Sequence, residues 1–369
     1  MPTESSPKAA TIEGRRAVIV SERRVEFERT EVGATPEGSH VRLKVERSII
    51  SAGTELSIYT GLDAGTRIPG EWAAWPFRSG YGGVGRVVAA GPDAVVPAGT
   101  RVFGILNHTS DAVIDSAKNL CVPIPEALDS TRAALARLGC VALTAARRVQ
   151  SIGTPLMGSR VLVIGLGLVG NLAGQLCRVT GARVTGLDPS AHRGQIAGRC
   201  GFVGALEPSV GELSKAVASL LGGAPDVVIE AVGDSRLIEQ AIGLCRPGGS
   251  VVLLGSPRAP HQTEATASWR EVHFKSLQVL GAFEYGIPFL RRQDHGAVGR
   301  DITIQDNADL VLRLMSDGSL VTDELVTAVP PANLGEAYEG LLNRKDEFLG
   351  VVFDWENNPL PEATFSESK

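Results

Sequence analysis

The run RVLVIGLGLVGNLAGQLCRVTGARVTGLD, residues 160–188, constrains the fold of this chain more than any other stretch. RVLVIG is apolar and short, as a buried strand is. Gly165, Gly167 and Gly170 follow in the spacing G-x-G-x-x-G, NLAGQLCRVTG has the character of a helix, and ARVTGLD that of a second strand. A glycine turn between a strand and a helix is built to receive a pyrophosphate. Gly165 permits the tight turn, Gly167 lets the backbone approach the phosphates, and Gly170 lets helix and strand pack closely. The free N–H groups at the helix start, those of Leu168 and Val169 among them, face the phosphates with the helix dipole behind them.

The pattern continues downstream. HRGQIAGRCG is a helix closed by Gly201, DVVIEAVG a strand, SRLIEQAIGLCRPGG a helix and SVVLLG a strand. SLQVLGAF, near residues 276–283, supplies a sixth strand. Apolar strands alternating with helices predict an α/β fold, a Rossmann doubly wound parallel sheet. The second strand ends at Asp188, eighteen residues past Gly170, where a carboxylate accepts bonds from the adenosine ribose hydroxyls. A carboxylate there repels a 2′-phosphate, so NAD is favoured over NADP. Arg193 and His192 lie close by in sequence and soften that preference.

A second G-x-G-x-x-G stands at Gly80, Gly82 and Gly85, within PFRSGYGGVGRVVAAG. PFRS before it is not a strand, and RVVAAG after it is a strand rather than a helix. This motif serves another purpose. It lies in a stretch, residues 17–125, of short β segments punctuated by Gly and Pro, which reads as an irregular β domain. STRAALARLGCVALTAARRVQ is then helical, with Ser130 as N-cap, alanine and leucine on one face and arginines on the other. Past the sheet come helices near NADLVLRLMSDG and NLGEAYEGLLNRK and a strand in FLGVVFDW.

At 369 residues the chain is long for one core. The expected division is a catalytic domain over 1–141, with 1–15 a loose tail; a nucleotide-binding domain over 142–285; and a return to the catalytic domain over 286–369, ending in a second loose tail. A net charge of −5 gives nothing to attract nucleic acid or an anionic membrane. No apolar run spans a bilayer, and the polar N-terminus lacks a signal peptide's apolar core. Five scattered cysteines without C-x-x-C argue against a disulfide framework and a four-cysteine zinc lobe. A cytoplasmic location is expected.

With these segments in place, the layout resembles the medium-chain dehydrogenase/reductase superfamily, the alcohol-dehydrogenase-like proteins, over roughly residues 17–355. The N-terminal part then corresponds to a β-rich, GroES-like catalytic domain. Where zinc members read C-G-T-D, this chain has Ala52-Gly53-Thr54-Glu55; where they read G-H-E, it has Gly80-Tyr81-Gly82. Cys140, 25 residues before Gly165, matches the third ligand position. A catalytic zinc takes three protein ligands, and one thiol does not hold it. The resemblance is therefore to the zinc-free branch, with no metal expected. SAGTE followed by GYGGVGRVV also resembles the proteins similar to bacteriochlorophyllide a dehydrogenase, which oxidise a secondary alcohol beside a ring.

The resemblance implies NAD(P)-dependent interconversion of an alcohol and a ketone on a small or medium organic molecule. Without zinc, some side chain must serve the reacting oxygen. Tyr81, at the histidine position, offers a phenol donor; Thr54 matches a proton-passing hydroxyl; Glu55 and His108 are further candidates. Trp72 and Trp75 suggest a flat, stacking substrate, or plain core. Thr144 matches a threonine that packs on nicotinamide. Ala231, Val232, Leu254, Gly255, Ser256, Ala282 and Phe283 match strand ends that cradle the ring. Relatives commonly dimerise through their nucleotide domains, so a homodimer is expected. Reduction of an activated C=C bond, transient use of bound NAD, and a non-catalytic cofactor-binding role are the alternatives.

Overall fold

A computed structural model describes residues 10–209, 211–290 and 302–358. Its centre is a six-stranded parallel sheet. In spatial order the strands are Ala205–Leu206, Arg183–Leu187, Arg160–Ile164, Val227–Glu230, Ser250–Leu253 and Gln278–Gly281. The order reverses beside Arg160–Ile164, the first strand in sequence, which is the doubly wound arrangement predicted from the alternation. Val161, Leu162 and Val163 are fully buried because helices cover both faces of the sheet. Gln278–Gly281 is the edge strand and is mostly exposed.

The β domain holds a second sheet. Its backbone path runs Thr327–Val329, Val351–Asp354, His40–Ile49, Gly83–Ala90, Arg101–Gly104 and Cys121–Pro123, and Asp111–Asp115 adds to His40–Ile49. Two of these strands come from the C-terminal segment, and Val351–Asp354 pairs with His40–Ile49. A smaller sheet joins Thr11–Ser21, Arg24–Gly33 and Phe77–Arg78. The helices Ile304–Ser316 and Leu334–Asn343 lie where the apolar periodicity puts them.

Four local expectations change. Residues 11–15 are not a loose tail, because Thr11 already pairs with Gly33 in an antiparallel hairpin. Ser130 is not a cap: Asp129 accepts from the Arg132 N–H at 2.9 Å, and the Ser130 hydroxyl turns to Glu46 at 2.5 Å. The domain boundary at 141/142 falls inside the helix Ala136–Ser151, which runs unbroken between the β domain and the glycine-loop helix Leu168–Val179. The arginines of that first helix do not all face outward, since Arg137 is 1% exposed. The expected C-terminal tail lies mostly outside the described residues.

Candidate active site

The glycine loop has the geometry its sequence requires. Gly165 sits at φ +89°, and a Cβ there would lie 2.4 Å from Val232 Cγ2. A Cβ on Gly170 would lie 1.9 Å from the Gly165 carbonyl oxygen, so only glycine lets helix and strand come this close. A Cβ on Gly167 would meet nothing nearer than the Arg193 guanidinium at 3.9 Å, which leaves the approach to the backbone open. Gly167 is the N-cap of Leu168–Val179 and provides no side-chain cap. Leu168 tucks beneath Gly350 of the returning chain, and Val169 is partly buried. The first N–H groups of this helix therefore suit a phosphate acceptor.

Asp188 stands at the end of Arg183–Leu187 and is 5% exposed. One carboxylate oxygen accepts from the Leu166 N–H at 2.7 Å, and the other from the Ser190 N–H at 2.9 Å. The acid thus clamps the glycine loop to the second strand. Arg193 lies 3.7 Å from the same carboxylate and is tethered to the Lys345 carbonyl at 3.0 Å. His192 is exposed.

The strand ends Glu230 and Leu253 lie side by side. Gly255 packs so closely on the turn after Val227–Glu230 that a Cβ would lie 2.1 Å from the Gly233 nitrogen. Leu254 and Gly255 both donate to the Glu230 carbonyl at 2.9 Å. Val232 and Phe283 are exposed, Ser256 is exposed, and Ala231 is partly buried. Ala282 is buried and donates to the Leu253 carbonyl. Thr144 is fully buried and its hydroxyl bonds back to the Cys140 carbonyl at 3.2 Å. Glu230 belongs to no motif that would mark it in the sequence. It is wholly buried, accepts from Val232 and Gly233, and burial raises its carboxyl pKa against those bonds.

Tyr81, Thr54, Glu55 and His108 come from one corner of the β domain. Ser51 is the N-cap of the helix Ala52–Tyr59, a residue type that normally spends its hydroxyl on the cap. Here that hydroxyl makes no cap bond and meets the Tyr81 hydroxyl at 2.7 Å, while the Glu55 carboxylate takes the Ser51 backbone N–H at 2.8 Å. Tyr81 is partly buried, and burial raises its phenol pKa while the Arg137 guanidinium lowers it. Thr54 is partly buried on the same helix.

Glu55 and His108 are buried together. Glu55 is 1% exposed, and its other oxygen accepts from His108 Nε2 at 3.0 Å and from the Tyr338 hydroxyl at 2.5 Å. His108 is fully buried, bonded through Nδ1 to Ser48 at 2.8 Å and set edge-on to Phe353. Gly80, at φ +90°, is pressed against it, since a Cβ would lie 2.4 Å from the His108 nitrogen. This network braces the helix that carries Ser51 and Thr54.

Arg137 reaches the opposite side of Tyr81. Its guanidinium centre lies 4.5 Å from the Tyr81 ring centroid. It makes a two-pronged ion pair with Glu284, one arm at 2.7 Å, and both residues are buried. The side chain passes through the space beside Gly82, where a Cβ would lie 2.4 Å from both Arg137 Cβ and Cγ. Nothing in the sequence singled out Arg137 beyond a glycine at the position of the zinc members' glutamate.

The donor set does not fit zinc. Ala52 and Gly82 offer no ligand atom, and Tyr81 is engaged with Ser51. Cys140 is fully buried, and burial pushes its thiol pKa up, away from the thiolate that binds metal. Among the described residues no group of three or more His, Cys, Asp or Glu is placed to hold a metal ion. Trp75 packs inward, with its N–H on the Ile58 carbonyl at 3.1 Å and Arg67 over its ring. Trp72 is 61% exposed, edge-on to Phe77.

A family model described as zinc-binding dehydrogenase matches residues 169–295. An alcohol dehydrogenase from Escherichia coli CFT073 complexed with NADH superposes with a TM-score of 0.73, covering 93% of this chain and 99% of that one at 18% identity. A protein of the zinc-binding dehydrogenase type from Sinorhizobium meliloti 1021, bound to NADP, gives a TM-score of 0.70 over 93% and 99% at 20% identity. The chain shares the fold of these dehydrogenases. Part of its sequence matches curated dehydrogenases as well. L-galactonate-5-dehydrogenase of Escherichia coli strain K12 is 30% identical over 199 residues, 53% of this chain and 52% of that protein. The chain thus aligns with about half the length of this dehydrogenase relative. No helix among the described residues is long and apolar enough to cross a membrane.

Proposed function

We propose that this chain is an NAD(P)-dependent dehydrogenase that interconverts a secondary alcohol and a ketone without a catalytic zinc. One observation carries the cofactor assignment: the open backbone at Gly167, flanked by glycines that admit no side chain and clamped by Asp188. When bound, the nicotinamide supplies the hydride chemistry. The chain's own residues bind it, exclude water and serve the reacting oxygen. Gly165, Gly167, Gly170 and the Leu168 and Val169 N–H groups take the pyrophosphate. Asp188 takes the ribose hydroxyls and favours NAD, with Arg193 tempering the choice. Thr144, Ala231, Val232, Leu254, Gly255, Ser256, Ala282 and Phe283 surround the ring.

At the oxygen, Tyr81 donates a hydrogen bond in the reductive direction; in the oxidative one it takes the hydroxyl proton as its own passes to the Ser51 hydroxyl. Ser51 stands behind it at 2.7 Å, and Thr54 is one turn along the same helix. Glu55 and His108 hold that helix in place. The L-galactonate-5-dehydrogenase match favours a polyhydroxylated substrate with a secondary alcohol. The SAGTE and GYGGVGRVV motifs favour an alcohol beside a ring, and cyclic polyols satisfy both. The exposed edge strand Gln278–Gly281, with Val279 on it and Phe283 just past it, supports a homodimer. Five buried free cysteines accord with a cytoplasmic enzyme.

The test is nicotinamide absorbance during incubation of the purified chain with NAD or NADP and a panel of sugar acids, polyols and cyclic alcohols. NADH formation with a secondary alcohol is the expected result. Reduction of enones with no alcohol oxidation would replace this function by C=C reduction, and silence across the panel with tight NAD binding would favour a non-catalytic role.

A further inference from the structure

Arg137 is an unusual residue to find where it is. A fully buried arginine costs several kcal/mol of desolvation, and a pair with Glu284 recovers that only in good geometry. Apolar residues of similar volume would fill the space with less penalty. The chain instead keeps glycine at position 82 so that the Arg137 stem can pass, although Gly82 has an ordinary backbone conformation that any residue adopts. The guanidinium ends between Glu284, which follows the last strand of the nucleotide sheet, and the face of Tyr81. Its Nε is buried with no hydrogen-bond partner among the described residues.

We propose that Arg137, held in place by Glu284, is the positioning element for Tyr81, fixing its ring by stacking and setting a guanidinium beside the phenol. The role rests on the use of Tyr81 at the substrate oxygen. Glu284 sets the plane of the guanidinium with two bonds, and the guanidinium sets the plane of the ring. Ser51 fixes the hydroxyl from the other side. When Tyr81 has given its proton to the substrate oxygen, the phenolate faces Arg137, and the hydride from the reduced cofactor completes the balance at carbon. The charged groups around Tyr81 are Arg137 and Glu284, Glu55 on the first helix, and Arg258, which follows Ser250–Leu253. Arg137 opposes the burial of the phenol more than any other group around it.

The experiment is fluorine NMR of the full chain with its tyrosines replaced by fluorotyrosine, titrated with pH. The Tyr81 signal is assigned by its loss in Tyr81→Phe. In Arg137→Met the Tyr81 midpoint should rise by about 1–3 pH units. Where that variant fails to fold because Glu284 is left unpaired, Arg137→Met/Glu284→Leu removes both charges and should move the midpoint in the same direction by less. An unchanged midpoint in the folded variant overturns the proposal. Turnover with an alcohol found active above separates the two readings. A raised midpoint together with normal turnover in Tyr81→Phe keeps Arg137 as the partner of Tyr81 and overturns its catalytic purpose. A raised midpoint with turnover lost in both Tyr81→Phe and the Arg137 variant supports the whole.

Discussion

The Tyr81 and Ser51 hydroxyls lie 2.7 Å apart, joining the strand-entry glycine motif to the N-cap of the helix Ala52–Tyr59. The Ser51 hydroxyl makes no cap bond to its own helix and goes to the phenol instead. Removing one preorganised donor at a reacting oxygen typically costs about 10²–10³ in turnover. Tyr81→Phe should therefore lose that much in kcat with little change in NAD affinity. Ser51→Ala, which leaves the phenol in place but unsupported, should lose about fivefold to tenfold. Steady-state kinetics on both variants checks this, and full turnover in Tyr81→Phe would move the role to Thr54 and water.

Asp188 carries the cofactor prediction. Asp188→Ala removes the acceptor for both the Leu166 N–H and the ribose hydroxyls. Binding of NAD should weaken by about 10- to 100-fold, as for lost hydrogen bonds to a charged group. Discrimination against NADP should relax, because Arg193 remains nearby. Titration calorimetry with each nucleotide measures both effects. Tighter NADP than NAD binding in the unaltered chain would mean that Arg193 sets the choice.

The glycine cradle was plain in the sequence because three glycines in one spacing and a flanking strand and helix agree on one geometry. The candidate catalytic corner was only half plain. Tyr81 could be placed by its neighbours Gly80 and Gly82, but its partners come from positions 51, 137 and 284, and only the folded chain joins those. Arg137 sat in a helix whose alternation reads as amphipathic, and an arginine on that pattern is ordinarily solvated. His108 sat among the polar residues Asn107, Thr109 and Ser110, yet Ser48, Glu55 and Phe353 close over it. Long-range polar pairing of this kind leaves no periodicity to read.

Gly170→Ala should be the most damaging single methyl in the nucleotide domain. The added carbon meets a backbone oxygen that no side-chain rotation relieves. A loss of about 1–3 kcal/mol or more in stability is expected, with NAD binding abolished or strongly weakened. Gly198→Ala, on an open helix face, provides the control and should be neutral or better. Thermal unfolding with and without NAD measures both.

Acid should weaken the fold partly through Asp226. Burial pushes its carboxyl up, but bonds from the Arg160 side chain and backbone and from Arg246 outweigh it and hold the pKa well below the usual range. A group depressed in the folded state stabilises above its unfolded pKa, and that stability is lost as pH falls through the ordinary aspartate value of about 3.9 toward the folded one. Chemical unfolding should therefore lose stability below about pH 4, and Asp226→Asn should show a flatter acid limb from a lower starting stability. Parallel limbs would assign the acid sensitivity to other carboxylates.

The central claim is hydride transfer at an alcohol carbon served by protein side chains and not by zinc. Its most direct measurement is turnover of an active alcohol after exhaustive chelation, on the same sample whose metal content is determined by elemental analysis. Retained turnover with far less than one zinc per chain is the predicted result. About one zinc per chain, with turnover lost on chelation and restored by zinc, would contradict it.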